Sequence, residues 1–372
     1  MIYLDYNATT PIAKEVAEAM LPFLYGNFGN PSSTHSLGLT AKAAVEQARA
    51  QVASLIHCAA DEIIFTSGGS ESDNMVLKGV AHTTYKNKGN HIITSQIEHP
   101  AILKPCKYLE GLGYEVSYVP VDHYGMVNPS DIESLISDKT ILVTIMHSNN
   151  EVGTLQPIES IGRICKDHGV LFHTDASQSV GKLPLEVKSL GVDFLTIAGH
   201  KLYAPKGIGA LYMRRGLHIE PLIHGADHEM GRRAGTESIL LEVGLGKACE
   251  VAKTELQNNA VKELTTYFHT RLKECFGEDL HLNGHPEEKL SNTLNISFLG
   301  YDGHTILDGL TDVAASTGSA CHAGTTTLSP VLSAMGVSDR VGRGAVRFSL
   351  GRHTTREEID AVLLRLQKVI KA

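Results

Sequence analysis

Short apolar runs alternate with helical patterns through much of the chain. Between residues 60 and 215, seven runs are rich in β-branched and aromatic residues. They are EIIFTS at 62–67, HIITS at 91–95, EVSYVP at 115–120, TILVTIM at 140–146, VLFHTDA at 170–176, FLTIAG at 194–199 and GALYM at 209–213. Strands separated by helices of this length predict an α/β fold whose mainly parallel sheet is covered on both faces.

The pattern changes towards the C-terminus. A long helical stretch covers 237–276, with a break near Asn258 and Asn259, and it predicts a bridge to a second domain. Strands are then expected at 290–298, 312–318 and 345–351, and helices near 302–310, 329–335 and 355–370. This mixture is typical of a small α+β domain. We expect residues 12–255 to form the large domain, and residues 1–11 together with 256–372 to form the small one.

Composition narrows the choice of partners and compartment. The 372 residues are 42% hydrophobic and 20% charged, with a net charge of -8 and no basic stripe, so nucleic acid is not an expected partner. The first residues show no signal-peptide pattern, and no apolar run reaches the roughly 18 residues of a membrane span, so we expect a cytoplasmic protein. Six scattered cysteines without CxxC spacing predict free thiols, neither a disulfide framework nor a zinc site.

Polar clusters directly follow several of the predicted strands, where α/β folds bind their ligands. One is GHK at 199–201, followed by the glycine-rich PKGIG. A lysine held in a pocket at a strand end can lose its proton and form a Schiff base with an aldehyde cofactor. A solvated surface lysine is the alternative interpretation of Lys201.

Two further strand ends carry groups that would suit the same kind of cofactor. Asp175 in HTDASQS is expected to be buried, and a pyridinium nitrogen would be a suitable partner for its carboxylate. FTSGGSESDN runs from a strand into a helix start, where Gly69 and Ser70 could bind a phosphate with the help of the helix dipole. Both sequences could instead be ordinary helix caps.

Three more residues complete the candidate chemistry. Asn150 in SNNEVG could donate to a phenolate oxygen, and His99 in EHP could stack on a ring and move protons. A plain loop histidine is the alternative for His99. Cys321 lies in STGSACHAGTTTLSP, whose small hydroxylic residues are poor material for a core, so we expect an accessible thiol. The other five cysteines lie in helical or apolar patterns and are expected to be structural.

Taken together, the motifs resemble those of the NifS/IscS family of cysteine desulfurases, within the class V aminotransferase group of fold-type I pyridoxal-5′-phosphate (PLP) enzymes. The resemblance covers nearly the whole chain. It is carried, in order, by YLDYNATTP, FGNPSSTHSLG, TSGGSESDN, IEHPAIL, NNEVGTLQPI, DASQSVGKLPL, GHKLYAPKGIGALY, GRRAGTE, GSAC and RFSLGRHTT.

This resemblance implies a PLP cofactor and a role for each matching residue. Lys201 would bind the cofactor covalently, Asp175 would pair with its ring nitrogen, and His99 would stack on the ring. The phenolate side would be bound by Asn150 and Gln178. The phosphate would be bound by Gly69, Ser70, His200 and, from the neighbouring subunit of a homodimer, Thr236. Arg347, with Asn30, would bind the substrate carboxylate, and Cys321 would become a persulfide that passes its sulfur to an acceptor protein.

Other activities stay open at this stage. Ala198 stands where many desulfurases have serine, and DYNATTP, LGVDFLTIAGHK and ACH with SPVL look closer to selenocysteine lyases. Another class V transaminase or lyase would leave GSAC without a purpose, and a non-catalytic scaffold would not need Lys201 and Asp175. A metal-dependent hydrolase is a further alternative, because His224, Asp227 and His228 lie close together, although no metal site is expected.

Overall fold

The computed structural model describes residues 1–318 and 328–370. Its strands are β1 (Ile2–Tyr3), β2 (Ile63–Thr66), β3 (His91–Ser95), β4 (Glu115–Val119), β5 (Thr140–Thr144), β6 (Leu171–Asp175), β7 (Phe194–Ala198), β8 (Gly209–Met213), β9 (Leu280–Asn283), β10 (Thr293–Phe298), β11 (Val313–Ala314) and β12 (Ala345–Ser349).

The helices between these strands have the following bounds. They are α1 (Lys14–Tyr25), α2 (Ser36–Leu55), α3 (Gly69–His82), α4 (Pro100–Glu110), α5 (Pro129–Leu135), α6 (Ile158–His168), α7 (Val187–Leu190), α8 (Ile239–Glu255), α9 (Ala260–Phe276), α10 (Gly303–Gly309), α11 (Pro330–Ala334), α12 (Asp339–Gly342) and α13 (Arg356–Ile370).

The large sheet has seven strands in the order β2-β8-β7-β6-β5-β3-β4. All are parallel except β8, which runs antiparallel to both of its neighbours. Each observed strand lies inside one of the seven runs predicted from the sequence. The expected α/β fold with a mainly parallel sheet is therefore confirmed.

Alternate residues of these strands enter apolar layers on opposite faces of the sheet. In β6, Phe172 lies in the layer covered by α1, α2 and α8, whereas Leu171 lies in the layer covered by α3 and α4. Burying each side chain of this size contributes about 2 to 3 kcal/mol to the free energy of folding. Because apolar layers cover both faces of the sheet, polar groups are accessible where its strands end.

The C-terminal part is built on a three-stranded antiparallel sheet in the order β12-β10-β9. Phe268 of α9, Phe298 of β10 and Phe348 of β12 are buried in its own apolar cluster. The N-terminus joins it, because β1 pairs with β11 and Asp5 bridges to Ser349. None of the helices described here is both long and apolar enough to cross a bilayer.

One predicted element is much shorter than expected. The strand expected over 312–318 covers only Val313–Ala314. The rest of that run, ASTG, offers few apolar side chains to bury against a neighbour, so the chain leaves the sheet there. The strands β1 and β9 are short elements that the apolar pattern did not indicate.

Candidate active site

A cavity of about 430 Å³ opens where the large sheet ends and β12 approaches it. It is lined by residues from the loops that follow the parallel strands, from the N-terminal segment and from β12. The structure brings these predicted site residues to it: Gly69, Ser70, His99, Asn150, Asp175, Gln178, His200, Lys201 and Arg347.

Lys201 stands on the short 3-10 turn that follows β7. The turn fits closely against the neighbouring strand, since a Cβ atom on Gly199 would lie 2.8 Å from the Ile208 carbonyl oxygen. Lys201 Nζ donates to the carbonyl oxygens of Asn7 (2.6 Å) and Ala8 (2.8 Å). Burial and the charge of Arg347 lower the pKa of Lys201 to about 8. A free amine is therefore accessible near neutral pH, as a lysine that reacts with an aldehyde requires.

The floor of the cavity carries buried carboxyl groups. Asp175, at the end of β6, is 7% exposed, and its Oδ1 accepts the Ser177 N–H at 2.9 Å. Burial and the charge of Asp175 raise the pKa of Asp73 well above its usual value. Glu98 does not line the cavity, but it is buried next to His99 in the chain, and burial is the main cause that raises its pKa to about 8. Asp73 Oδ1 has no hydrogen-bond partner among the described residues. The raised pKa values of Asp73 and Glu98 favour their uncharged forms, so Asp175 is the group here whose carboxylate would pair with a cation, and a protonated pyridine nitrogen fits it.

Another part of the cavity lining suits an anion. Helix α3 begins at Gly69, its N-cap residue Gly68 provides no side-chain cap, and Ser70 is exposed in the first turn. Unpaired N–H groups and the helix dipole at such an N-terminus bind phosphate well. A Cβ atom on Gly69 would lie 2.9 Å from Ser177 Oγ, so the chain passes this end closely. His200 lies beside it, and burial lowers the pKa of His200 to about 4, so this imidazole is neutral.

The remaining groups line the same cavity. His99 is the N-cap of α4, and its Nδ1 accepts the Ala101 N–H at 3.1 Å. Partial burial lowers the pKa of His99, although the charge of Asp175 opposes the change. Arg347 of β12 donates to Asp5 Oδ1 (2.6 Å) and to the Asn150 carbonyl oxygen (2.9 Å). The guanidinium is thus held rigidly at the cavity wall.

Three predicted site residues are not placed in this cavity by the single chain. Thr236 is exposed in the loop before α8. Asn30 is exposed between α1 and α2, where its Oδ1 accepts the Ser32 N–H at 2.9 Å. Neither residue lines the cavity. Cys321 lies outside the described residues.

Asn7 is the main site residue that reasoning from the sequence did not single out. It is 1% exposed and bonds to groups from both parts of the molecule. Its carbonyl oxygen accepts from Gln178 and Lys201, and its Nδ2 donates to Asn150 O and Thr293 Oγ1. Asn7 lies in YLDYNATTP, one of the motifs that carry the family resemblance, and its place in that motif was the signal that could have found it.

The other side chains with special chemistry lie elsewhere. Cys58, Cys106, Cys165, Cys249 and Cys275 are all free thiols, as predicted. Burial raises the pKa of Cys58, Cys106 and Cys165 to about 12, which agrees with a structural role. His224 is exposed and pairs with Glu220 at 2.9 Å. No cluster of three side chains able to hold a metal ion occurs within 1–318 and 328–370.

Comparisons with known proteins agree with this geometry. The family model described as Aminotransferase class-V matches residues 2–362. The chain is 47% identical to the cysteine desulfurase IscS of Dictyoglomus turgidum over 374 residues, which is 100% of this chain and 94% of that protein.

Solved structures give the same answer at the level of the fold. A structure described as a NifS-like protein superposes with a TM-score of 0.93 at 38% identity, covering 100% of this chain and 99% of that one. A structure of SspA in complex with cysteine has a TM-score of 0.85 at 38% identity, covering 95% and 100%. The resemblance seen in the sequence motifs is therefore confirmed, and the chain belongs to the class-V aminotransferase family, as a member of its NifS/IscS-like cysteine desulfurases.

Proposed function

We propose that this protein is a PLP-dependent cysteine desulfurase that converts L-cysteine to L-alanine and takes up the sulfur as a persulfide on Cys321. The observation that carries the proposal is the cavity itself. A lysine with a lowered pKa, a buried carboxylate, a helix N-terminus that suits an anion and Arg347 all line it. Relatives at 47% identity that are named cysteine desulfurases support the choice of substrate.

The residues present fit the cofactor at each of its functional groups. Lys201 would bind its aldehyde carbon and Asp175 its ring nitrogen, while Asn150 and Gln178 would bind the phenolate side. Gly69, Ser70 and His200 would hold the phosphate, together with Thr236 of the neighbouring subunit. When bound, pyridoxal phosphate supplies an electron sink for bonds around the substrate's α-carbon.

The protein's own groups orient the substrate and move its protons. Arg347 would bind the α-carboxylate in the charge-assisted manner that suits a guanidinium, with Asn30 as a second donor. The amine of Lys201, with its pKa lowered to about 8, exchanges protons near neutral pH. His99 lines the same cavity, and its lowered pKa leaves a neutral imidazole that accepts a proton.

Cys321 would do the sulfur chemistry. Its thiolate forms an S–S bond to the substrate sulfur, the Cβ–S bond breaks, and the electron pair stays on the three-carbon product, which takes up a proton to become alanine. The described neighbours of this segment support the assignment. Ser316 pairs with Arg347 by backbone hydrogen bonds, and Ser329 Oγ donates to Glu151 at 2.5 Å. One flank of 319–327 therefore lies beside Arg347, which would bind the substrate, and the other lies beside Glu151, the residue after Asn150.

The deciding experiment compares two substrates in the wild type and in Cys321→Ser. A free thiol has a pKa of about 8.5 and leaves poorly, so cysteine should need attack by Cys321, whereas selenium leaves with less help. We expect Cys321→Ser to lose alanine formation from L-cysteine almost completely and to keep a substantial part of the reaction with L-selenocysteine. Wild-type activity confined to L-selenocysteine would make the protein a selenocysteine lyase. Full activity of Cys321→Ser on cysteine would overturn the role of Cys321.

The partners implied by this chemistry are a second copy of the chain and a sulfur acceptor. Thr236 is exposed and does not line this chain's own cavity, as expected of a group donated to a neighbouring site. A persulfide is of use only if a protein or small thiol removes its sulfur. The free thiols of the described chain fit a reducing, cytoplasmic setting.

A further inference from the structure

Lys182 is a cation next to the cavity that the proposed chemistry leaves without a purpose. It follows the polar cluster at the end of β6, and its half-buried ammonium group donates to Gln178 Oε1 at 3.0 Å. No ion pair of Lys182 occurs among the residues described here. Burial and the charges of Lys201 and Arg347 lower the pKa of Lys182 to about 7. A methionine of similar shape would avoid this cost, so the ammonium group needs a reason to be there.

Its position is fixed by the turn that carries it. The Lys182 N–H donates to the Ser179 carbonyl oxygen at 3.0 Å, and Gly181 adopts a φ of 76°. A Cβ atom on Gly181 would lie 3.1 Å from the Ala252 Cβ and 3.3 Å from the Leu202 Cβ. The turn is therefore clamped between α8 and the segment that carries Lys201.

The amide of Gln178 is held from both of its ends. Its Nε2 donates to the Asn7 carbonyl oxygen at 2.9 Å, and its Oε1 accepts from Lys182. An ammonium group can only donate and a carbonyl oxygen can only accept, so the two partners allow one orientation of this nearly symmetric group. The carbonyl end is turned to Lys182, and the N–H end remains for the cavity that Gln178 lines.

We propose that Lys182 is a positioning residue that holds the Gln178 amide with its N–H end towards the cavity, where it donates to the anionic phenolate oxygen of the bound cofactor. The inference rests on the proposed function, since it requires pyridoxal phosphate in this cavity. Without Lys182 the Asn7 carbonyl alone would favour this orientation, and an amide that turned over would place its oxygen against another oxygen. A charged donor on Oε1 also polarises the amide and strengthens its N–H as a donor.

A double-mutant cycle on cofactor affinity tests the coupling. The dissociation constant for pyridoxal 5′-phosphate is measured for wild type, Lys182→Met, Gln178→Ala and the double variant, with the exposed Lys188→Met as the matched control. We expect each single change to raise the dissociation constant about tenfold and the double variant to raise it no further, because both remove the same hydrogen bond. Lys188→Met should stay within about twofold of wild type.

A spectroscopic measurement separates positioning from a role in folding. Loss of a donor to the phenolate oxygen favours its protonation, so the pH midpoint of the visible cofactor band should rise in both Lys182→Met and Gln178→Ala. Gln178→Glu should bind the cofactor more weakly than Gln178→Ala, because both carboxylate oxygens are acceptors. This second variant tests the orientation even if Lys182→Met fails to fold.

The outcomes distinguish this proposal from the proposed function. A wild type with no affinity for pyridoxal phosphate overturns both. A wild type that binds the cofactor, with about a hundredfold loss in the double variant, overturns only the role of Lys182, because the two effects are then independent. A Lys182→Met variant that binds the cofactor like Lys188→Met would also overturn the role of Lys182. So would a Gln178→Glu variant that binds the cofactor like wild type.

Discussion

Lys201 and Arg347 bring two cationic groups to the cavity that Asp175 and Asp73 also line, and Lys182 lies next to them behind Gln178. The pKa of Lys201 is lowered to about 8, by burial and then by Arg347, while Asp175 and Asp5 oppose the change. Burial and the charges of Lys201 and Arg347 lower the pKa of Lys182 to about 7. The lowered pKa of Lys201 makes its neutral amine accessible, which is the state that a nucleophile needs.

This charge arrangement predicts how cofactor capture depends on pH. Below pH 8 the Lys201 amine is mostly protonated and cannot attack an aldehyde, so the rate should fall about tenfold from pH 7 to pH 6 and level off above pH 9. Stopped-flow absorbance of the cofactor-free protein mixed with pyridoxal phosphate measures it. Arg347→Met should move the midpoint to higher pH, because it removes a positive charge that lowers the pKa of Lys201.

The control for this measurement is Lys188→Met, which should leave the midpoint unchanged. A midpoint near the ordinary lysine pKa of about 10.4 would contradict the environment described for Lys201. We also expect Lys201→Ala to show no visible cofactor band, because the lysine that would bind the cofactor covalently is then absent.

At the scale of residues, the sequence indicated which side chains gather at the cavity better than it indicated their hydrogen-bond partners. Lys201, Asp175 and His99 could be found because each follows an apolar run, and the ends of parallel strands meet at one edge. Asn7 could not be found in this way, because it bonds to Lys201 and Gln178, which lie far away in the chain. Lys182 could not be found in this way either, because its partner and its burial are set by tertiary packing.

At the scale of elements, the segment from Asp5 to Thr10 acts as a strap between the two parts of the molecule. Thr10 bonds to the His200 carbonyl oxygen, Asp5 pairs with Arg347, and Asn7 reaches both Gln178 and Thr293. Residues on this strap therefore contact the lysine turn of the large sheet and the wall formed by β12. The positions of Lys201 and Arg347 relative to each other depend on it.

We expect Asn7→Ala to destabilise the protein by about 3 kcal/mol, because it leaves several buried partners unsatisfied, including Asn292 and Thr293. Urea unfolding of the cofactor-free protein measures the change in free energy. The exposed Asn87→Ala should change the free energy of unfolding by less than about 0.5 kcal/mol. An Asn7→Ala variant as stable as Asn87→Ala would show that the strap does not hold the two parts together.

The elements themselves were predictable to different degrees. The seven strands of the large sheet are apolar runs buried on both faces, so their pattern is strong. The break between α8 and α9 lies at the asparagines that marked it. By contrast, β1 has only two residues and forms because it pairs with β11 across the chain, which local periodicity does not show.

At the scale of the whole molecule, exposed apolar side chains on α1 and the following loop form a surface that could bind a partner. Leu21 and Leu24 are about half exposed, and Tyr25 and Phe28 are 83% and 71% exposed. Leu39 of α2 extends this surface, because Gly29 lies against the Leu37 carbonyl. Contiguous apolar surface of this kind marks an interaction site in a folded protein. A second copy of the chain is the occupant we propose, since the proposed function places Thr236 of a neighbouring chain at the phosphate end of the cavity.

The double variant Leu24→Glu with Phe28→Glu should therefore weaken the dimer at least about a hundredfold, because dimerisation would bury two new charges in each half of an apolar interface. Sedimentation velocity at micromolar concentration should give twice the chain mass of 40.1 kDa for wild type and a single chain mass for the variant. Leu112→Glu is the matched control, since Leu112 is 52% exposed beyond α4, on the opposite face of the large sheet, and its change should leave the dimer intact. The monomeric variant should also bind pyridoxal phosphate more weakly, because each cavity loses the partner's hydroxyl group. A wild type that sediments as a single chain and still turns over cysteine would contradict both the interface and the shared phosphate site.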